Sequence, residues 1–357
     1  MNKYEIAVVP GDGIGNEVIP ESIKVLDVLA AKFGFQLAYK NFDYSCKNFA
    51  KDGKMMPDDG LERLRDSDSI FLGAVGYPGV PDHISLWGLL IPIRRAFEQY
   101  INLRPVRLLK GIESPLKNIG NVDYMIVREN SEGEYSDIGG RYNVGKPDEM
   151  VKQETIFTKK GVDRVMKYAF ELAQKRKNKL TSATKSNGII HSMTYWDERF
   201  KDIGTHYPNV ETAQFHIDIL CAHFVQHPDW FDVVVASNLF GDILSDLGPA
   251  VVGGIGIAAG GNINPEKKYP SMFEPVHGSA PDIAGKNIAN PIACFWTGAM
   301  MLEHLGEIEA SKELMQAIET LTSSRKVLTR DLGGKASTTE VTHELIKIIK
   351  TNSFFQI

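Results

Sequence analysis

Cysteine is scarce in this chain of 357 residues, and the three that occur, Cys46, Cys221 and Cys294, are far apart. They form no C-x-x-C pair, which argues against a disulfide framework and against a zinc site built from thiolates. This cysteine usage fits a reducing compartment, so we expect a cytoplasmic protein.

A surplus of basic residues is also lacking, because 40 lysines and arginines face 45 aspartates and glutamates, and the formal net charge is −5. Without a basic stripe, nucleic acid is not an expected partner. The most apolar stretch without charges, residues 247–263, is broken by glycines and is too short to span a bilayer. The chain starts on a strand-like run, residues 4–9, and not on a secretory signal, so we expect no membrane contact either.

Short apolar runs alternate with segments of helical apolar spacing, which predicts an α/β fold with a largely parallel sheet. The chain is longer than one hydrophobic core usually serves, so we expect two domains. The least patterned segment, residues 136–154, is a surface loop by composition. Strands are predicted at 6–9, 69–71, 124–127 and 232–236, and helices at 18–33, 161–175, 311–321 and 340–350.

A glycine-rich turn, Gly11-Asp-Gly-Ile-Gly15, lies between the first predicted strand and the first predicted helix. A Rossmann fingerprint needs a further glycine at the position of Asn16, and an acidic residue on the next strand about 20 residues later. Both are absent, so a Rossmann or P-loop nucleotide-binding protein is disfavoured. The pattern instead predicts a tight strand-to-helix turn, with positive φ angles at glycine, that could line a cofactor cleft.

Two aspartates follow the predicted strand 232–236. Asp242 and Asp246 are four residues apart, so on a helix they share one face and their charges repel. A shared hard cation such as Mg²⁺ or Mn²⁺ would relieve that repulsion. The alternative is a helix N-terminus, where acids interact favourably with the macrodipole, and the spacing leaves both interpretations open. Asp218, inside an apolar helical pattern, is a further acid that needs a partner if it is buried.

Three arginines, Arg94, Arg104 and Arg128, could recognise a multiply anionic ligand, because the guanidinium group binds carboxylates in a bidentate manner. For each one alone, a surface ion pair is the simpler interpretation. Lys185 follows a short strand-like run, and Tyr135 ends the segment that begins at Arg128. Both residue types can act as general base or acid when their surroundings tune them.

A long loop of small residues, histidine and acids spans residues 273–286 and is followed by Asn290-Pro291. Its glycines allow a ligand to approach the backbone closely, and Asp282 could accept hydrogen bonds from ribose hydroxyls. By composition alone, the loop is merely unusual.

The combination of Asn-Leu-Phe-Gly-Asp-Ile-Leu-Ser-Asp at 238–246 with Glu-Pro-Val-His-Gly-Ser-Ala-Pro-Asp at 274–282 is highly specific. With this combination of motifs, the sequence resembles the β-decarboxylating dehydrogenases, and the resemblance extends over essentially the whole chain. The family includes isopropylmalate, isocitrate, homoisocitrate, D-malate and tartrate dehydrogenases. The resemblance implies a two-domain, non-Rossmann, isopropylmalate-dehydrogenase-like α/β fold. The first domain would comprise 1–100 and 255–357, and the second 101–254.

The resemblance also implies a homodimer with shared active sites. The segment near 136–154 then becomes an arm exchanged between subunits, which replaces its interpretation as a plain loop. Lys185, supplied by the partner subunit, would be the base near the substrate hydroxyl, and Tyr135 the acid that protonates the product carbon. Arg94, Arg104 and Arg128 would clamp the substrate carboxylate.

The implied cofactors are NAD and Mn²⁺ or Mg²⁺, with K⁺ as a further candidate. Asp242, Asp246 and the partner-supplied Asp218 would hold the metal. NADP-using isocitrate dehydrogenases carry a lysine where this chain has Asp282, which favours NAD. The cofactor-binding positions implied are Asn187, Glu274, His277, Gly278, Ser279, Ala280, Asp282 and Asn290.

Positions just before Arg94 face the C3 substituent of the substrate in this family. Isocitrate enzymes carry serine and asparagine where this chain has Gly88 and Leu90. Isopropylmalate enzymes carry glutamate at the position of Trp87 and valine at that of Gly188. We therefore expect NAD-dependent oxidation, with decarboxylation, of a small 2-hydroxy diacid such as D-malate or tartrate. The alternatives are a 3-isopropylmalate dehydrogenase and a non-catalytic regulatory subunit, although the latter should have lost catalytic residues that are present here.

Overall fold

The structure is a computed structural model that describes residues 1–117 and 119–351. Strands and helices alternate along it, as the apolar pattern predicted. The strands are β1 (Lys3–Gly11), β2 (Gln36–Asn41), β3 (Ser69–Ala74), β4 (Ile101–Arg107), β5 (Asp123–Glu129), β6 (Gly139–Tyr142), β7 (Met150–Gln153), β8 (Lys179–Thr184), β9 (Glu211–His216), β10 (Val233–Ala236), β11 (Ala259–Ile263) and β12 (Ser271–Pro275).

The helices include the four that the apolar spacing predicted. A π-helical segment, Leu86–Leu90, lies between two of the shorter ones. The helices are α1 (Gly15–Phe33), α2 (Cys46–Asp52), α3 (Gly60–Arg65), α4 (Asp82–Ser85), α5 (Ile91–Ala96), α6 (Lys159–Gln174), α7 (Ser192–Gly204), α8 (Ile217–Gln226), α9 (Asn238–Val252), α10 (Ile292–Leu305), α11 (Ile308–Ser324) and α12 (Thr338–Thr351).

The chain divides into two compact units. Unit 1 comprises residues 1–99, 107–117 and 249–357, and unit 2 comprises 100–106 and 118–248. Unit 1 thus includes 107–117 and 249–254, which the resemblance assigned to the second domain, and residue 100 falls in unit 2. Arg107 pairs with Glu319 of unit 1, and the Ser114 hydroxyl donates to the carbonyl of Val251 at 2.7 Å, which joins 107–117 to 249–254.

In unit 1 the strand order is β2-β1-β3-β12-β11. β1 is parallel to β2 and β3, β12 is parallel to β3, and β11 is antiparallel to β12. Helix α10 is buried without interruption from Ile292 to Leu302 and packs on β11, β12 and α11. Because β1, β3 and β12 are parallel, their carboxyl ends meet at one sheet edge. The glycine-rich turn follows β1 at this edge, and the 276–290 loop follows β12.

In unit 2 the strand order is β4-β5-β10-β8-β9, and the pairs β5–β10, β10–β8 and β8–β9 are parallel. A separate antiparallel hairpin, β6–β7, lies within the segment 136–154, and its strand residues are exposed. Composition alone had suggested a loop there, so the local interpretation was wrong about its secondary structure. Among the described residues, no helix is long and apolar enough to cross a membrane.

Candidate active site

The chemistry-bearing side chains of unit 2 lie where its parallel strands end. Arg128 is next to the last residue of β5, and Lys185 directly follows β8. Asp218 follows β9, and Asp242 lies on α9, which follows β10. Because parallel strands end at a common edge, the topology gathers residues that are far apart in sequence, at the edge where α/β proteins usually bind ligands.

Four polar side chains, Arg128, Tyr135, Asn238 and Asp242, form what we call the Asp242 cluster. Arg128 Nε and Nη2 donate to Asn238 Oδ1 at 3.1 and 2.8 Å, and its Nη1 donates to Asp242 Oδ1. The hydroxyl of Tyr135 donates to Asp242 Oδ2 at 2.9 Å, and the guanidinium lies 5.5 Å from the centre of the tyrosine ring. The expected acid and an expected metal ligand are therefore in direct contact.

Asp246 lies one turn beyond Asp242 on α9, as the spacing predicted. Desolvation raises the pKa of Asp246, and the negative charge of Asp242 raises it further, against the opposing charges of Arg104 and Arg128. Arg104 itself is buried in β4 and donates from Nε to Asn102 Oδ1 at 2.8 Å. A carboxylate whose ionisation is opposed by burial and by a neighbouring carboxylate fits a divalent cation, whose charge would favour the ionised form of Asp246.

Asp218, the third expected metal ligand, does not lie with Asp242 and Asp246. In the part of the chain that the structure describes, no three His, Cys, Asp or Glu side chains form a group able to hold a metal. Asp218 instead accepts from Lys185 Nζ at 2.7 Å, and this hydrogen bond lowers the pKa of Asp218. The acid is exposed near the start of α8, and its partner within the chain is Lys185. Asn187 is exposed in the turn after Lys185.

In unit 1, Arg94 on α5 is buried and pairs with Glu274 near the end of β12. Arg94 Nη2 donates to Glu274 Oε1 at 2.9 Å, and Asn262 Nδ2 donates to the same oxygen at 2.8 Å. Arg94 Nε is buried and has no hydrogen-bond partner among the described residues. A buried donor without an acceptor costs about 1–3 kcal/mol, which a ligand carboxylate would offset. Glu274, expected at the cofactor, uses its carboxylate to orient Arg94.

The glycine-rich turn packs directly on the 276–290 loop. Ile14 N donates to the carbonyl of Ser279 at 2.8 Å, and a Cβ atom at Gly13 would lie 2.0 Å from that oxygen. Gly13 has φ +53°, so both its conformation and the close approach require glycine. Ala280 also has positive φ, at +40°. The prediction of a tight, non-Rossmann turn is confirmed.

Within that loop, His277 carries an unused acceptor. Its Nδ1 lies 3.1 Å from the carbonyl of Gly278, while Nε2 is buried and has no partner among the described residues. Desolvation lowers the pKa of His277, so the ring is neutral at pH 7, and with Nδ1 protonated Nε2 can accept from a ligand. Asn290, by contrast, is occupied: its Nδ2 donates to Asp331 at 2.8 Å, and its Oδ1 accepts from Ile292 N at 3.0 Å.

The segment before Arg94 contains the π-helical turn, a feature frequent at functional sites. Trp87 is half-buried, and the guanidinium of Arg95 lies 5.0 Å from the centre of its ring. Leu90 packs against the hydrophobic cluster of unit 1. A Cβ atom at Gly88 would lie 2.7 Å from Cγ of Met55, so the serine of isocitrate enzymes would have to displace Met55.

A sequence profile of the isocitrate/isopropylmalate dehydrogenase family matches residues 5–348. The chain belongs to this family. It is 55% identical to D-malate dehydrogenase (decarboxylating) of Escherichia coli K12, over 98% of this chain and 99% of that protein. It is also 55% identical to tartrate dehydrogenase/decarboxylase of Pseudomonas putida, over 95% and 96% of the two chains.

The same family fold is found among solved structures. The crystal structure of isocitrate dehydrogenase from Methylococcus capsulatus has a TM-score of 0.88 to this chain, with 32% identity, and the match covers 98% of this chain and 100% of that one. The predicted fold class, an isopropylmalate-dehydrogenase-like α/β architecture, is thus confirmed.

Two acids that sequence analysis missed hold the family's motifs in place. Asp12 is buried, and its carboxylate accepts from the backbone N–H groups of Cys46, Lys47 and Gly76 at 2.9, 3.1 and 3.2 Å. Glu134 accepts hydrogen bonds from Ser237 and Leu239 at the start of α9. The partners of Asp12 and Glu134 are far away in the sequence. The local signals were therefore limited to the position of Asp12 in the glycine-rich turn and that of Glu134 beside Tyr135.

Proposed function

We propose that this chain is an NAD-dependent decarboxylating dehydrogenase of small 2-hydroxy diacids, converting D-malate to pyruvate and CO₂ or oxidising tartrate. The observation that carries the proposal is the contact of Tyr135 with Asp242, one turn from Asp246, in a chain so similar to relatives of this activity. Relatives at 50–55% identity are decarboxylating dehydrogenases, and the chain is an enzyme of this type.

The proposed roles follow from the chemistry of the side chains. Lys185 Nζ in its neutral form accepts the proton of the substrate hydroxyl, and Tyr135 Oη delivers a proton to C3 after CO₂ leaves. The arginines hold the substrate carboxylate and fix its orientation. For Arg94, the unpartnered and buried Nε supports this role.

The residues present fit a divalent metal and a nicotinamide dinucleotide. We propose that Asp242 and Asp246 hold Mn²⁺ or Mg²⁺, and that the loop from Glu274 to Asn290 holds NAD, with His277 Nε2 as one acceptor. When bound, the metal stabilises negative charge on the substrate oxygens, and the nicotinamide accepts the hydride. K⁺ stays a further candidate cofactor.

We propose a homodimer in which a second copy of this chain supplies Lys185 and Asp218 to each site. The incomplete metal site supports it, since Asp218 does not join Asp242 and Asp246 within the described residues of one chain. Exposed apolar side chains support it as well. They are Ile219 and Val225 on α8, Leu239 and Ile243 on α9, and Ile138, Tyr142, Val144, Met150 and Val151 around the β6–β7 hairpin.

We propose a cytoplasmic location, because Cys46, Cys221 and Cys294 are free thiols. We expect neither nucleic acid nor membrane as a partner, in line with the net charge of −5.

The decisive experiment is a substrate panel with NAD and Mn²⁺, followed by NADH absorbance. It compares kcat/KM for D-malate, the tartrates, isocitrate and 3-isopropylmalate under one set of conditions. We expect D-malate or a tartrate to be preferred, because the indole of Trp87 would fill the volume of an alkyl group. A tenfold preference for 3-isopropylmalate, about 1.4 kcal/mol in transition-state binding, would establish the main alternative. No turnover of any diacid would favour a regulatory subunit.

Asp282→Asn should reduce the preference of the enzyme for NAD over NADP. The exposed carboxylate of Asp282 would repel the 2′-phosphate of NADP and accept from the ribose hydroxyls of NAD. We expect the ratio of kcat/KM values to fall by about tenfold, mainly through KM. Asp66→Asn, the same change at another exposed acid of unit 1, is the control. Comparable kcat/KM for both dinucleotides in the unmodified enzyme would contradict this role.

A further inference from the structure

Glu134 links the segment that carries Tyr135 to the helix that carries the proposed metal ligands. Its Oε1 accepts from the hydroxyl of Ser237 at 2.8 Å, and its Oε2 accepts from the backbone N–H of Leu239 at 3.0 Å. Ser237 directly precedes α9, and Leu239 is its second residue. Glu134 thus caps α9 from a segment more than a hundred residues away in sequence.

The capping interaction is favourable for two reasons. The first N–H groups of a helix have no acceptor within the helix, and Glu134 satisfies one of them. A carboxylate at this end also interacts favourably with the helix macrodipole. The N–H of Leu239 donates to Glu134, so this part of the cap is supplied by an acid of a distant segment and not by the residue that precedes the helix.

Glu134 and Tyr135 are neighbours that both bind the beginning of α9. Glu134 holds Ser237 and Leu239, and Tyr135 reaches Asp242 one turn further along. The contacts of Glu134 and of Tyr135 with α9 differ in one respect. Asp242 is a proposed metal ligand, so a cation would compete with the tyrosine hydroxyl for its oxygens. The partners of Glu134 are the hydroxyl of Ser237 and the backbone N–H of Leu239, so a cation held by Asp242 and Asp246 would not take the place of either.

We propose that Glu134 is a positioning residue that keeps the hydroxyl of Tyr135 in place for proton donation when the carboxylate of Asp242 is engaged by a metal ion. The proposal rests on the role given above to Tyr135. It assigns a function in the proposed reaction to an acid whose carboxylate is held by Ser237 and Leu239.

Glu134→Gln tests the proposal, because the amide keeps the size of the side chain but cannot accept from both partners. We expect kcat for the preferred diacid to fall about tenfold, equivalent to about 1.4 kcal/mol, with KM changed less than twofold. In the Tyr135→Phe background, Glu134→Gln should cause no further loss, since the group that it positions is already gone. An additive double-mutant cycle, or an unchanged kcat in Glu134→Gln alone, would overturn the proposal.

A second readout does not depend on turnover. Amide hydrogen exchange of the metal-free protein should increase in peptides covering 237–241 in Glu134→Gln, because a neutral amide accepts more weakly from the N–H of Leu239 than a carboxylate does. Should Glu134→Gln fail to fold, Ser237→Ala removes one of the two hydrogen bonds that Glu134 accepts. We expect Ser237→Ala to lower kcat as well, by a smaller factor. Unchanged kcat in Ser237→Ala, with unchanged exchange at 237–241, would then count against the proposal.

A matched control separates positioning from the loss of any helix cap. Glu340 accepts from the backbone N–H and the hydroxyl of Ser337 at the start of α12 in unit 1, both at 2.8 Å. Glu340→Gln should lower Tm as much as Glu134→Gln does and leave kcat unchanged. An equal loss of kcat in both variants would show that Glu134 contributes only to stability. If instead Tyr135→Phe keeps full activity, the proposed acid itself is wrong, which is a different failure.

Discussion

Asp242→Asn should abolish turnover while leaving the protein folded. The neutral amide cannot offset the charge of a divalent cation, and the pair with Asp246 then carries a single negative charge. We expect kcat to fall by at least about a thousandfold, or ~4 kcal/mol of transition-state stabilisation. The amide oxygen can still accept from Tyr135 or Arg128, so Tm without metal should change little. The measurements are kcat across a Mn²⁺ titration, Mn²⁺ affinity by calorimetry, and thermal unfolding.

Asp163→Asn is the control for this variant. Asp163 also lies on a helix of unit 2 and pairs with an arginine, Arg199, which keeps Asp202 as a second partner. Its substitution should leave both Mn²⁺ affinity and kcat near those of the unmodified enzyme. If Asp242→Asn retained near-normal kcat at limiting Mn²⁺, Asp242 would not be a metal ligand. The carboxylate would then serve the cluster with Arg128 and Tyr135 alone.

Mixing two inactive variants, Lys185→Ala and Arg104→Ala, should restore activity if each site takes residues from two copies of the chain. Loss of a general base costs about 10²–10⁴ in rate, so each variant alone gives a low background. In a hybrid dimer, one of the two sites would contain an intact lysine and an intact arginine. Random re-association should therefore recover about a quarter of the activity of the unmodified enzyme.

The ion pair between Lys185 and Asp218 supplies a matched control. Because these two residues are in contact within one chain, they would enter the same site together. Lys185→Ala mixed with Asp218→Ala should therefore recover nothing, since each site of the hybrid lacks one of the two. Mass spectrometry under native conditions verifies that hybrids form. Recovery in the control, or none in the lysine–arginine mixture despite verified hybrids, would contradict a site shared between subunits.

Much of this protein is determined by its sequence, because the relevant signals are local. Apolar spacing predicted four of the strands and four of the helices that the structure contains, including β1, β5 and α6. The four-residue spacing predicted that Asp242 and Asp246 share one face of a helix. The specific motifs at 238–246 and 274–282 were sufficient for the family. The glycine-rich turn was distinguished from a Rossmann fingerprint by Asn16 and by the absence of an acidic residue on the next strand.

Contacts between distant residues were decided only by the tertiary structure. Tyr135 meets Asp242 across 107 positions of the chain, and Arg94 meets Glu274 across 180. The family resemblance implied that Glu274 lies at the cofactor, but only the structure shows that its carboxylate binds Arg94. No local sequence pattern indicated a role for Glu134.

The physical reason is that helix and strand periodicity depends on neighbours along the chain, whereas hydrogen-bond partners depend on which strand ends meet. The parallel order β5-β10-β8-β9 brings the expected acids and bases of unit 2 to one sheet edge. That order arises from long-range packing, which the local apolar pattern does not encode. The sequence alone thus determined which residue types are available for chemistry, and the tertiary structure decided which of them are in contact.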